Sequence, residues 1–225
     1  MTDPSVPTTP VPNHNNDTSA NTDFCLNIIS WNLAGRYDSN VLLPEFEAIL
    51  MKFDVVLIQE THLYESELLQ ALEGFTSFSR PQRSSSLDSP WGGVATLVRD
   101  GYNAKIREEF CGPDLLTVEV NGTLFFNSYI LPENTRTDWN TWTDVHPREA
   151  LQDAIELARD WDLPFIVMGD LNARIASKSP NPNHLTRLSP DCQQNTWGRW
   201  LLELCDRNNL CILNGCEGIP GSHNK

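Results

Sequence analysis

Five polar residues stand at or just beyond apolar runs of strand length, and their side chains are two carboxylates, two amides and a phenol. Asn32 follows IISW, Glu60 follows VVLIQ, Tyr129 lies within FFNSYIL, and Asp170 and Asn172 follow FIVMG. Sheet proteins bind ligands at the carboxyl ends of their strands, so these side chains could converge on one crevice. Each residue also has a local explanation when it is taken alone: a surface cap for Glu60, an Asx-turn for Asp170, a core position for the tyrosine and a turn cap for the first asparagine.

The runs that would position these residues are rich in Val, Ile, Phe and Leu, which favours strands at 24–31, 54–58, 93–98, 115–120, 124–131 and 164–168. Asn121-Gly122 is the strongest two-residue hairpin signal, so 115–131 should form an antiparallel pair. Helical periodicity occurs at 41–52, 65–73, 147–161 and 196–207, and a short strand is expected at 210–213. These elements predict a mixed α/β or α+β domain in which helices cover the sheets.

The composition is typical of one folded domain behind a polar tail. The chain has 225 residues, 40% of them hydrophobic, and residues 1–23 hold four prolines and few apolar side chains. We expect 1–23 to be a disordered tail and 24–225 to be the domain. No membrane helix or signal peptide pattern occurs, and the six cysteines include no CxxC pair. The protein is therefore predicted to be intracellular, in the nucleus or the cytoplasm, with free thiols.

The net charge of −14 is a poor match for a polyphosphate partner, but its distribution along the chain is uneven. Two stretches, 75–87 and 171–190, contain basic residues and no acid, among them Arg83, Arg174 and Lys178. Such locally positive loops would suit an anionic substrate. Solvated loops with no partner are the alternative explanation of the same pattern.

The polar residues belong to motifs that occur in a defined order: WNLAGR at 31–36, IQETHL at 58–63, NSYILPE at 127–133, IVMGDLNARI at 166–175 and WGRWLLELCDRNNLCILNG at 197–215. This set resembles the endonuclease/exonuclease/phosphatase superfamily. It is most similar to the apurinic/apyrimidinic-endonuclease-like domain of non-LTR retrotransposon proteins. The resemblance covers nearly the whole chain behind the tail and implies a four-layer sandwich of two mixed β-sheets flanked by helices. A monomer is expected.

The resemblance also implies a role for each motif residue. Glu60 matches the family's metal-binding glutamate and Asn32 the asparagine beside the same site, with Mg²⁺ as the implied ion and Mn²⁺ as a substitute. Asp170 matches the aspartate that orients or deprotonates the attacking water. Asn172 matches the asparagine that holds the phosphate or that aspartate. Tyr129 matches the phosphate-contacting tyrosine, although the family more often has NVY where this chain has NSY.

The reaction implied is in-line hydrolysis of a phosphodiester, with DNA as the expected partner. The expected substrate contacts are Arg174, Lys178 and Arg83. The family continues with an S-x-I-D strand and an S-D-H motif whose histidine stabilises the pentacoordinate phosphate, and neither occurs before Lys225. We therefore expect a domain that lacks its last motifs.

Three interpretations remain open. The chain is a Mg²⁺-dependent nucleic-acid endonuclease of retroelement origin, a phosphatase or lipid phosphodiesterase of the same superfamily, or an inactive retroelement remnant that binds nucleic acid or metal weakly. The missing motifs favour the remnant, which would be marginally stable, prone to aggregation and unable to nick plasmid DNA.

Overall fold

The computed structural model describes residues 25–35, 37–63, 69–81, 92–135, 143–180 and 186–216. The tail predicted at 1–23 lies outside these residues. Within them, no helix has the length and apolar character needed to cross a membrane. The elements in chain order are β1 (Ile28–Asn32), α1 (Tyr37–Asn40), α2 (Pro44–Leu50), β2 (Val55–Gln59), β3 (Phe75–Arg80), β4 (Val94–Arg99), β5 (Ala104–Ile106), a 3₁₀ turn (Glu108–Phe110), β6 (Leu115–Val120), β7 (Thr123–Tyr129), α3 (Pro147–Asp160), β8 (Phe165–Asp170) and α4 (Thr196–Arg207).

The strands form two four-stranded sheets, one in the order β1-β2-β4-β3 and the other in the order β5-β6-β7-β8. Each sheet is mixed, because β1 runs parallel to β2 and β7 runs parallel to β8 while the remaining pairs are antiparallel. The hairpin between β6 and β7 turns at Asn121-Gly122, where both residues have positive φ, as a type I′ turn requires. The predicted antiparallel pair is confirmed.

The central strands β2 and β7 are largely apolar on both faces because each sheet is covered on both sides. In β2, Val55 and Leu57 pack against the second sheet, whereas Val56 and Ile58 pack under α1 and α2. In β7, Phe125 lies between the sheets, and its neighbours on either side pack against α3 and α4. The layers are therefore helix, sheet, sheet and helix, and the predicted four-layer sandwich is confirmed.

The two long helices begin at residues that cap them. His146 Nδ1 accepts a hydrogen bond from the Arg148 amide at 3.0 Å and stands before Pro147, the first residue of α3. Asn195 Oδ1 accepts from the Gly198 amide at 2.8 Å at the start of α4. The predictions at 147–161 and 196–207 are confirmed to within one residue.

The helix predicted at 41–52 forms but is shorter, because the residue before Pro44 is extended and α2 spans only Pro44–Leu50. Two other predictions were wrong over described residues. The helix predicted at 65–73 is absent from 69–73, where Leu72 is buried without helical backbone. No strand forms at 210–213, since the Leu210 amide bonds back to the carbonyl of Cys205 and closes α4.

Candidate active site

The polar residues of the sequence motifs meet at one end of the sandwich. Asn32 is the last residue of β1 and Glu60 follows β2, and these two strands are parallel neighbours. Tyr129 and Asp170 end β7 and β8, which are also parallel, and they are direct partners in the register. Parallel strands end at the same edge of a sheet, so each sheet contributes two of these side chains to a shared edge.

The Asn32 amide joins the two sheets by bridging their carboxylates. Its Nδ2 donates to Glu60 Oε1 at 2.7 Å and to Asp170 Oδ2 at 2.8 Å, while its Oδ1 accepts from the Ala34 amide at 2.9 Å. The distance between the two carboxylate oxygens therefore cannot exceed the sum of these two hydrogen-bond lengths. Two carboxylates that close repel each other, and the shared donor partly offsets that repulsion.

Glu60 has a strained backbone conformation, and both of its carboxylate oxygens have polar neighbours. Its φ of 53° is in the left-handed region, which a non-glycine residue adopts at a cost of about 1–3 kcal/mol. The Tyr129 hydroxyl donates to this carboxylate, and His62 Nε2 lies 3.4 Å from Oε2. Burial, followed by the Glu60 charge and hydrogen bond, raises the pKa of Tyr129 well above its usual range.

Asp170 is oriented by the turn that follows it. The Asn172 amide N–H donates to Asp170 Oδ1 at 3.1 Å, and Asn172 has a φ of 48°. The Asn172 side chain donates to the Ile130 carbonyl at 2.8 Å, and the Asn172 backbone carbonyl accepts from the Asn195 side chain at 2.8 Å. Asn172 thus contacts the aspartate through its backbone, while its side chain ties the turn to the end of β7.

Comparison with known families shows that residues 29–207 match the Endonuclease/Exonuclease/phosphatase family. The chain belongs to this family. A comparison with curated proteins gives no match.

Solved structures with a similar fold include two endonucleases and a phosphatase. The endonuclease domain of TRAS1, a telomere-specific non-LTR retrotransposon, has a TM-score of 0.54 and 16% identity, over 84% of this chain and 75% of that one. The AP endonuclease LMAP from Leishmania major has a TM-score of 0.58 and 18% identity, over 82% and 67%. The 3′ phosphatase NExo from Neisseria, solved with a product DNA hairpin, has a TM-score of 0.51 and 17% identity, over 81% and 71%.

The oxygen ligands at this end of the fold suit a hard divalent cation. Among the described residues, no three His, Cys, Asp or Glu side chains converge as a protein-only cage. Mg²⁺ does not need such a cage, because it commonly takes one or two carboxylates and keeps several waters. The Glu60 carboxylate fits that requirement, whereas Asn32 turns its amide nitrogen to Glu60 and its oxygen to the Ala34 amide, so it holds the carboxylate beside the site.

The cations proposed from sequence as substrate contacts already have partners. Arg174 makes two hydrogen bonds of 2.8 Å to Asp191, an acid just beyond the acid-free stretch, and Lys178 Nζ donates to Gln194 at 2.6 Å. Both cations are exposed, so a phosphate would compete with these partners. Arg83 lies outside the described residues.

Sequence reasoning missed three contributors to the site. His62 lies beside Glu60, and its ring covers Gly35 so closely that a Cβ there would lie 2.1 Å from Nδ1. Asp114, which precedes β6, is 5% exposed, and burial followed by the Glu60 charge raises its pKa to about 7. Gln59 donates to Asn127 Oδ1 at 2.7 Å between the sheets.

Proposed function

We propose that this protein is a divalent-metal-dependent phosphodiester hydrolase that acts on nucleic acid. The observation that carries the proposal is the convergence of Glu60 and Asp170 on the Asn32 amide, with the Tyr129 hydroxyl bonded to the Glu60 carboxylate. Membership of the family supports hydrolysis of phosphate esters. Asn32 supplies the geometric link between the carboxylate assigned to the cation and the carboxylate assigned to the water.

Asp170 is the residue that we assign to the attacking water. Each of its oxygens accepts one described hydrogen bond, from the Asn172 backbone and from Asn32, and each keeps lone pairs for a further partner. A carboxylate held from two sides presents a fixed lone pair, so it can orient a water and accept its proton. The proton transfer requires the ionised carboxylate.

Glu60 is the residue that we assign to the cation, with Asn32 beside it. A bound Mg²⁺ would neutralise charge that develops on the phosphate oxygens. Tyr129 is suited to donate to a phosphate oxygen, because its raised pKa keeps the phenol protonated at neutral pH.

DNA is the substrate that the comparisons support best. The similar structures include a retrotransposon endonuclease domain, an AP endonuclease and a phosphatase solved with product DNA. We infer a retroelement origin from the first of these and from the order of the motifs. A phosphatase or lipid phosphodiesterase activity uses the same site chemistry and is distinguished only by its substrate.

The test is cleavage of fluorescent DNA duplexes, with and without an abasic analogue, in Mg²⁺, in Mn²⁺ and in EDTA. We expect cleavage that requires the cation and falls by about 100-fold or more in Asp170→Asn. Asp153→Asn on the exposed face of α3 and Glu203→Gln on α4 are matched controls for Asp170→Asn and Glu60→Gln. Cleavage that survives both site variants would refute the assignment.

The alternatives have their own outcomes in the same experiment. Hydrolysis of p-nitrophenyl phosphate or a phosphoinositide without DNA cleavage would select the phosphatase or lipid phosphodiesterase. Calorimetric binding of Mn²⁺ that depends on Glu60, without hydrolysis of any of these substrates, would select the inactive remnant.

A further inference from the structure

Asp114 is a buried carboxylate directly behind the proposed cation site. It precedes β6, has a φ of 49° and is 5% exposed. Its Oδ1 accepts from the Gly93 amide at 2.7 Å, whereas its Oδ2 has no hydrogen-bond partner among the described residues. An unpaired buried carboxylate oxygen destabilises a fold, so the position calls for a reason other than stability.

The hydrogen bonds around Asp114 lead to Glu60 through the backbone. The Gly93 carbonyl accepts from the Thr61 amide at 3.1 Å, and the Gly92 carbonyl accepts from the His62 amide at 3.0 Å. The strained segment that begins at Glu60 is therefore anchored on Gly92 and Gly93, and Asp114 holds Gly93. Glycine is also needed at position 92, because a Cβ there would lie 2.6 Å from Asp114 Oδ1.

The same residue also holds the other partner of Glu60. The Asp114 carbonyl accepts from the Tyr129 amide at 2.9 Å, and the Tyr129 hydroxyl donates to Glu60. The Asp114 and Glu60 carboxylates are close enough to repel each other, and both charges act on Tyr129. One buried residue thus contacts both elements that present Glu60, Gly93 through its carboxylate and Tyr129 through its backbone carbonyl, and the carboxylate adds a negative charge near Glu60.

We propose that Asp114 is a positioning residue of the cation site, which fixes the Glu60 segment through Gly93 and strengthens cation binding with its charge. This inference rests on the proposed function, because it assigns the cation to Glu60. Asp114 is too buried to contact a substrate, so it acts through Glu60 and Tyr129. Residues of this kind commonly alter metal affinity by 10–100-fold when they are replaced.

The experiment is titration of the full chain with Mn²⁺ by calorimetry, together with the melting temperature of the metal-free protein. Asp114→Asn keeps an acceptor for Gly93 and tolerates the left-handed backbone but removes the charge. We expect its Mn²⁺ dissociation constant to rise by about 10-fold or more, while the metal-free melting temperature stays equal or rises. Asp153→Asn should leave both unchanged, and Asp114→Ala should weaken binding further.

Unchanged Mn²⁺ affinity in Asp114→Asn, with affinity lost in Glu60→Gln, would overturn this inference and leave the proposed function standing. Weaker affinity accompanied by a lower metal-free melting temperature would also overturn it, because a purely structural residue behaves in that way. Absence of binding to the parent protein, or equal binding to Glu60→Gln, would overturn the cation assignment and this inference together.

Discussion

The buried Asp114 carboxyl should make the metal-free protein lose stability as the pH rises through the weakly acidic range. Burial is the main cause of its raised pKa, the Glu60 charge adds to it, and the Gly93 hydrogen bond opposes both. The pKa rises from 3.8 to about 7, so between these values the folded state holds a proton that the unfolded state has released. The free energy of unfolding therefore falls with increasing pH over this window, and the cost is complete above about pH 7.

The size of the effect follows from the two pKa values. At 1.36 kcal/mol for each pH unit, the full cost is on the order of 4 kcal/mol, of which roughly 2–3 kcal/mol develops between pH 5 and pH 8. The residue is 5% exposed, so solvent screening does not reduce this figure greatly. Asp114→Asn removes the titrating group and should remove the corresponding pH dependence.

The assay is urea unfolding of the parent and of Asp114→Asn at several pH values, in EDTA so that no cation neutralises the site. The other titrating groups are common to both proteins, so their contributions largely cancel in the difference between the two unfolding free energies. That difference should increase in favour of the variant from pH 5 to pH 8. A constant difference, or one that changes in the opposite direction, would show that the Asp114 carboxyl is not protonated in the folded state over this pH range.

Two further predictions concern the packing between the sheets and the exposed cations. Asn127→Ala should lower the free energy of unfolding by on the order of 3 kcal/mol, because it removes the hydrogen-bond partner of Gln59 and of two backbone carbonyls. The exposed control Asn103→Ala should change it little in the same urea titration. A loss below about 1 kcal/mol in Asn127→Ala would contradict this prediction. Replacing Arg174 and Lys178 with Glu should weaken DNA binding, measured by fluorescence anisotropy at several salt concentrations. The slope of the log binding constant against log salt concentration should fall in magnitude by about 0.9 for each phosphate that the protein no longer neutralises. An unchanged slope would mean that the DNA binds elsewhere.

Six of the eight described strands and the β6–β7 hairpin can be predicted from sequence because their causes are local, whereas β3 and β5 lack a continuous apolar run and were missed. Apolar β-branched runs fill both faces of a covered strand, and Asn121-Gly122 adopts the positive φ values of its turn without outside help. The helix predicted at 65–73 does not form over 69–73, because the apolar spacing there has another cause. Leu69 and Leu72 reach the core under the first sheet from irregular backbone, so apolar spacing there reflects packing and not a helix.

The site is only partly predictable from sequence, because it depends on contacts between residues far apart in the chain. Asn32 and Asp170 could be found because they end strands within motifs, but the bond between them joins residues 138 positions apart. Asp114 has no strand-end position and no motif, and its importance depends on Gly93 and on a left-handed backbone that the sequence does not indicate. The partner of Arg174 likewise became visible only when the fold brought Asp191 next to it.

If Glu60 and Asp170 form one cation-assisted hydrolytic site, anomalous diffraction from crystals soaked in Mn²⁺ will locate the cation at Glu60. We expect a strong peak about 2.1 Å from a Glu60 carboxylate oxygen, at the strand ends beside Asn32 and Asp170. This peak should disappear in crystals of Glu60→Gln. A peak only at another place, or Glu60 still bonded to Asn32 and Tyr129 with no cation beside it in saturating Mn²⁺, would exclude Glu60 as the cation ligand.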